Sequence, residues 1–215
     1  MIIDSWAITF MQSIQSSPLV GFDVRVRGTG NLKDTKDSDI IVFTAGIARK
    51  QGMKREELVE SNAKIVIPLV KELVKYSPKA ILIMLTNPLD AMAYAAFKAS
   101  KSPKNKVIGM AGILDSARLS YFISEELNVS VKEVSCRVLG SHGENMIPML
   151  SLSKVNGVKL EDLLSKNKIN KLVQRTKEAG AEIILLLQEN ASFSVGAATA
   201  KLVESIIKDE KKVLP

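Results

Sequence analysis

SDIIVFTAGIARKQGMKREELVESNAKIVIPLVKELVKYSPKAILIMLTNPLD, residues 38–90, decides the fold. Asp39 to Thr44 and Ala80 to Thr86 are short aliphatic runs closed by turn residues, the pattern of strands buried on both faces. Between them, Arg55 to Tyr76 carries its apolar residues at helical spacing. Strand, long helix and strand in that order form a crossover between parallel neighbours of one sheet.

The pattern continues outward. Downstream, Leu89 to Ser100 reads as a second helix and Lys106 to Ala111 as a further strand; upstream, Asp23 to Arg27 reads as another strand. This is half of a doubly wound sheet. After residue 112 the character changes. A helix is expected from Leu114 to Leu127, then a two-strand section through Ser135 to Leu139 and Ile147 to Val155 with an Asn156-Gly157 turn, then long helices from Ile169 to Gln188 and Ser194 to Lys211. The expected fold class is α/β: a partial doubly wound parallel sheet over residues 1–111, followed by an α+β part over 112–215. No repeat, linker or low-complexity segment interrupts it.

Composition sets the function classes aside in turn. The chain has 215 residues, 46% hydrophobic and 25% charged, which is enough for a substantial core. Its net charge of +7 could signal an anionic partner, but the lysines are interspersed with Glu and Asp along helical segments, as in Lys71-Glu72 and Lys208 to Lys212. Stacking aromatics and a concentrated basic face are both lacking, so nucleic acid is not expected as a partner. The single cysteine, Cys136, lies in an apolar stretch and reads as a buried thiol. No apolar run reaches the ~18 residues of a membrane span, and residues 1–20 do not follow the pattern of a secretion signal. No membrane association is expected, and a cytoplasmic location is.

The residues suited to chemistry lie at turns. His142, the only histidine, stands in Leu139-Gly140-Ser141-His142-Gly143-Glu144-Asn145, where glycines allow close backbone approach. Imidazole exchanges protons near neutrality, although a lone histidine in a turn also fits a structural role. Asp115 opens a helix in Gly112-Ile113-Leu114-Asp115-Ser116-Ala117-Arg118; it suits a helix cap and equally a partner that fixes a histidine tautomer. Arg118 shares its helix face, either as a surface ion pair or as a carboxylate clamp. Thr44-Ala45-Gly46 leaves a strand end into a loop with Arg49 and Arg55 six residues apart, suited to closing over a dianion, although a solvated basic loop has the same composition. Asn87 ends the next strand in Thr86-Asn87-Pro88, which is also ordinary turn chemistry.

Together, TAGIARKQGMKREEL, TNPLD, GILDSAR and LGSHGENMIP resemble the malate and lactate dehydrogenase family, in the same order and at similar separations, over about residues 17–215. The resemblance implies a Rossmann-like sheet and hydride transfer between a 2-hydroxy acid and a nicotinamide cofactor, NAD or NADP. By it, His142 exchanges the hydroxyl proton, Asp115 orients His142, and Arg118 grips the C1 carboxylate. Arg55 polarises the reacting carbonyl, Asn87 bonds the substrate oxygen, and Thr44, Ala45, Gly46 and Asn87 lie along the cofactor. Arg49 takes the specificity position, where a guanidinium suits the second carboxylate of malate and oxaloacetate rather than the methyl group of lactate. The resemblance further implies a dimer or tetramer and no metal.

One family feature does not occur in these 215 residues. The Gly-x-Gly-x-x-Gly turn that holds the pyrophosphate on a helix N-terminus is absent; Gly28-Thr29-Gly30 continues to Lys33 and reads as a simple turn. The first strand-helix-strand unit and the C-terminal elements of the family are thus expected to be missing, with weak cofactor binding and little activity as the consequence. A lactate dehydrogenase-like enzyme, and a non-catalytic fragment that associates with another chain, are the alternatives.

Overall fold

A computed structural model describes residues 27–48, 52–187 and 192–215 of the chain. The expected strand Asp23 to Arg27, apart from its last residue, and Arg49 lie outside the described residues. The sheet-forming half runs β1 (Ile40–Phe43), α1 (Arg55–Tyr76), β2 (Ile81–Met84), α2 (Leu89–Ser100) and β3 (Val107–Gly109). All three strands are parallel, in the order β1-β2-β3, with Ile40 opposite Ile81 and Leu82 opposite Val107. Both helices have the bounds the apolar spacing predicts. The strands are shorter than the aliphatic runs, yet Ile81 N–H still donates to Asp39 O and Leu85 N–H to Phe43 O, both at 2.9 Å, so the ladder continues into the flanking residues.

Burial explains why the β2 run is unbroken. Leu82, Ile83 and Met84 are all fully buried. Leu82 and Met84 pack with Phe43, Val66, Val70 and Met92 beneath α1 and α2. Ile83 points the other way, to Met110, Leu114, Ala198 and Leu202. Each such side chain contributes about 1.5–3 kcal/mol by leaving water, and a strand buried on both faces has no place for a polar alternate.

The second half comprises α3 (Gly112–Leu127), short strands β4 (Val134–Ser135), β5 (Val138–Gly140), β6 (Met146–Pro148), β7 (Lys154–Val155) and β8 (Val158–Lys159), and helices α4 (Leu160–Leu163), α5 (Lys166–Leu187) and α6 (Ser192–Ile207). The expected two-strand section is in fact two small antiparallel sheets, β4-β7-β8 and β5-β6. The break falls at Cys136-Arg137, where the chain bonds to α3 on one side while Arg137 O accepts from Met149 N–H at 2.8 Å, next to β6. Val138 N–H donates to Ser116 Oγ at 2.9 Å, and Cys136 Sγ to Ser116 O at 3.3 Å. The Asn156-Gly157 turn does join two strands, with φ of 46° and 85°, the left-handed pair that a two-residue hairpin requires. Leu119, Phe122 and Ile123 of α3 pack against Val138, Met146, Leu160 and Leu172 to form this half's core.

Candidate active site

Because β1, β2 and β3 are parallel, their C-terminal ends share one edge of the sheet, where open α/β sheets bind ligands. Thr44 to Gly46 leave that edge after β1, Thr86 and Asn87 after β2, and α3 starts there after β3. Asp115 is in the first turn of α3 and is 2% exposed. His142 arrives from further along the same half, in the loop between β5 and β6. That loop bends at Gly140 and Gly143, with φ of 83° and 113°, and a Cβ on Gly140 would sit 2.9 Å from Asn145 O.

The start of α3 and the β5–β6 loop meet at an imidazole and a carboxylate, with His142 Nδ1 2.8 Å from Asp115 Oδ2. A carboxylate only accepts, so Nδ1 carries the hydrogen and Nε2 is left free to exchange a proton. Arg118, one turn further along α3, brings Nη1 to 3.6 Å from the other oxygen, Asp115 Oδ1. That is an ion pair but too long for a hydrogen bond. Both Asp115 Oδ1 and Arg118 Nε are buried without a hydrogen-bond partner, a rare state for ionised groups. Burial draws the pKa of Arg118 below its usual value, and the charge of Asp115 pushes it back up; an arginine stays charged throughout. A desolvated guanidinium with an unused donor is built to receive an anion.

A cavity of about 290 Å³ lies beside His142, lined also by Asp90, Gly109, Gly112, Val138 and Pro215; Asp115 and Arg118 are not in its wall. Among the predicted site residues, Asp115, Arg118 and His142 are in direct contact or ion-pair range. Thr44, Gly46 and Asn87 are exposed at the same sheet edge, with Ala45 half-buried among them. Arg55 is exposed at the first turn of α1, which the loop from β1 reaches. Arg49 lies outside the described residues. No cluster of His, Cys, Asp and Glu able to hold a metal occurs among the described residues.

Sequence reasoning passed over Asn62. It is completely buried in α1 and bonds to the loops after both β1 and β2. Its signal was a carboxamide inside an apolar stripe, with Leu58 four residues before and Val66 four after.

The strand-end loops fit the nicotinamide end of a dinucleotide, since main chain and small side chains lie open where the sheet's ligands bind. The glycine turn for its pyrophosphate is not in these 215 residues. Residues 11–109 match the NAD binding domain of lactate/malate dehydrogenase, and residues 113–215 match its alpha/beta C-terminal domain. A malate dehydrogenase of Geobacillus sp. (strain WCH70) is 48% identical over 206 residues, 95% of this chain and 66% of the relative. The chain thus spans about two thirds of the length of the curated relatives it matches. The structure of malate dehydrogenase from Salinibacter ruber superposes with a TM-score of 0.90 at 40% identity, covering 100% of this chain and 67% of that one. A lactate dehydrogenase from Cryptosporidium parvum, complexed with lactic acid and b-nicotinamide adenine dinucleotide, gives 0.90 at 35% identity, covering 100% and 68%. With four motifs in order, a shared sheet edge and both domain models accounted for, the chain belongs to the lactate/malate dehydrogenase family.

Proposed function

We propose that this chain carries the substrate-side chemistry of a malate dehydrogenase, interconverting (S)-malate and oxaloacetate with NAD. The observation that carries the reading is the 2.8 Å contact between His142 Nδ1 and the buried Asp115 carboxylate, beside an arginine with an unused donor. The bound dinucleotide supplies or accepts the hydride. His142 gives a proton from Nε2 to the substrate oxygen during reduction and takes it back during oxidation. Asp115 keeps the ring in the tautomer that serves this exchange and stabilises the imidazolium. Arg118 binds the C1 carboxylate through the part of its guanidinium that stays accessible, the side chain being 12% exposed. Asn87 offers its carboxamide to the reacting oxygen, Arg55 supports the charge that develops there, and Thr44, Ala45 and Gly46 line the nicotinamide.

Arg49 is the residue we take to bind the second carboxylate and so favour oxaloacetate over pyruvate. Residues 1–111 then serve the cofactor and 112–215 the substrate, in keeping with family matches that end at 109 and resume at 113. We infer a dimer or tetramer working in the cytoplasm. NADH oxidation by the protein as the cell makes it, measured with oxaloacetate and with pyruvate, tests the reading. Faster turnover of oxaloacetate is expected; a preference for pyruvate, or no turnover of either, overturns it. The same assay with NADPH separates the two cofactors.

A further inference from the structure

We propose that Asn62 is a positioning residue that locks the cofactor-side loop after β1 to Asn87 after β2. The inference rests on the malate dehydrogenase reading, which sets those two segments at the cofactor and the substrate. Asn62 itself is fully buried on α1 and reaches both segments through its carboxamide.

Its carboxamide does three things at once. Oδ1 accepts from Ile47 N–H at 2.8 Å, while Nδ2 donates to Ile47 O at 3.2 Å and to Asn87 O at 2.6 Å. Gripping both the N–H and the C=O of Ile47 fixes the orientation of that residue's backbone. The third bond ties the same group to the main chain of Asn87, so the two loops cannot shift independently. Only a primary amide presents one acceptor and two donors from one planar group. A second tie runs alongside, from Thr86 Oγ1 to Ala45 O at 2.8 Å. The packing is close: a Cβ on Gly46 would fall 2.5 Å from Thr86 Cγ2 and 3.0 Å from Asn62 Oδ1. The helix face thus sets the spacing between Thr44–Gly46 and the Asn87 carboxamide, and that spacing governs how the two reactants meet.

The test compares Asn62→Asp, Asn62→Leu and Ser77→Ala in the protein as the cell makes it. Asn62→Asp keeps the volume and the acceptor for Ile47 N–H but removes both donors, whereas Asn62→Leu removes all three bonds. Ser77, 2% exposed at the far end of α1, bonds Ser38 N–H at 3.0 Å and serves as a control for lost stability alone. Amide hydrogen exchange at Ile47 is expected to quicken at least about ten-fold in Asn62→Leu. It should stay slow in Asn62→Asp, and slow at Leu85 and Met110 in both. The kcat for oxaloacetate should fall about ten- to a hundred-fold in both Asn62 variants, as for an angstrom-scale misplacement, with Asn62→Asp the less impaired. Ser77→Ala should lower Tm and leave kcat intact. Unchanged exchange at Ile47 in Asn62→Leu overturns the inference, as does an Asn62→Asp variant that behaves like Ser77→Ala. If the unsubstituted protein does not reduce oxaloacetate, the catalytic reading fails and exchange alone decides for or against the clamp.

Discussion

At the scale of single residues, the His142–Asp115 contact makes a sharp demand. Asp115→Asn keeps the volume and a carbonyl oxygen for Nδ1–H, but removes the negative charge that stabilises the imidazolium. We expect kcat to fall about 10²–10⁴-fold, the usual weight of positioned acid–base catalysis, with little change in KM; steady-state kinetics with oxaloacetate checks it. Arg118→Lys tests the clamp. An ammonium cannot form the two-pronged contact with a carboxylate, and burial at that position would further disfavour its charge, so KM for oxaloacetate should rise on the order of a hundred-fold. Arg49→Gln should shift the preference toward pyruvate by at least about ten-fold in relative kcat/KM, since one charged contact carries over 1.4 kcal/mol. Asp115, Arg118 and His142, which the structure brings together, each sit in a compact motif, and that is why they could be singled out from the sequence. Asn62 was not, because what singles it out is a pair of carbonyls fifteen and twenty-five residues away, and no local pattern encodes them.

At the scale of elements, length decided what could be read. The helices Arg55–Tyr76 and Leu89–Ser100 have 22 and 12 residues, several turns of 3.6-residue periodicity, and their bounds follow from the sequence. The strands of the second half have two or three residues, too few to show an alternation of period two. They were visible only as a vaguely extended region. The one local signal there with a fixed backbone meaning, Asn156-Gly157, identified its turn. Two glycines let backbone strain be separated from site geometry. Gly157 has φ of 85°, and a Cβ added there would meet no atom within 4 Å, so Gly157→Ala should cost about 1–2 kcal/mol without altering kcat. Gly140, φ 83°, meets Asn145 O at 2.9 Å and starts the loop that carries His142. Gly140→Ala should lose at least as much stability and also lower kcat. Thermal melts beside kinetics on the two variants distinguish the cases.

At the scale of the whole molecule, the site depends on the sheet edge and on two segments, α3 and the β5–β6 loop, being held at a fixed separation. The sheet half supplies the edge, and the second half supplies both α3 with Asp115 and the β5–β6 loop with His142. Their junction was not legible in the sequence, since it depends on how distant segments pack. The structure puts Gly112 there. A Cβ on it would lie 2.7 Å from Pro215 Cβ, 2.8 Å from Pro215 C and 2.9 Å from Val138 O. Two of the three are main-chain atoms, so no side-chain rotation relieves the clash. Gly112 begins the helix that carries Asp115, and Val138 begins the strand that leads to His142. Gly112→Ala must therefore push these two elements apart, at a cost of about 1–3 kcal/mol for overpacking. The displacement falls on the 2.8 Å contact between Nδ1 and Oδ2. The variant should melt earlier and lose kcat far beyond what Gly157→Ala loses, although it changes no group that touches substrate. A Gly112→Ala protein with full kcat and a lowered melting temperature would show that the catalytic pair tolerates movement between α3 and β5.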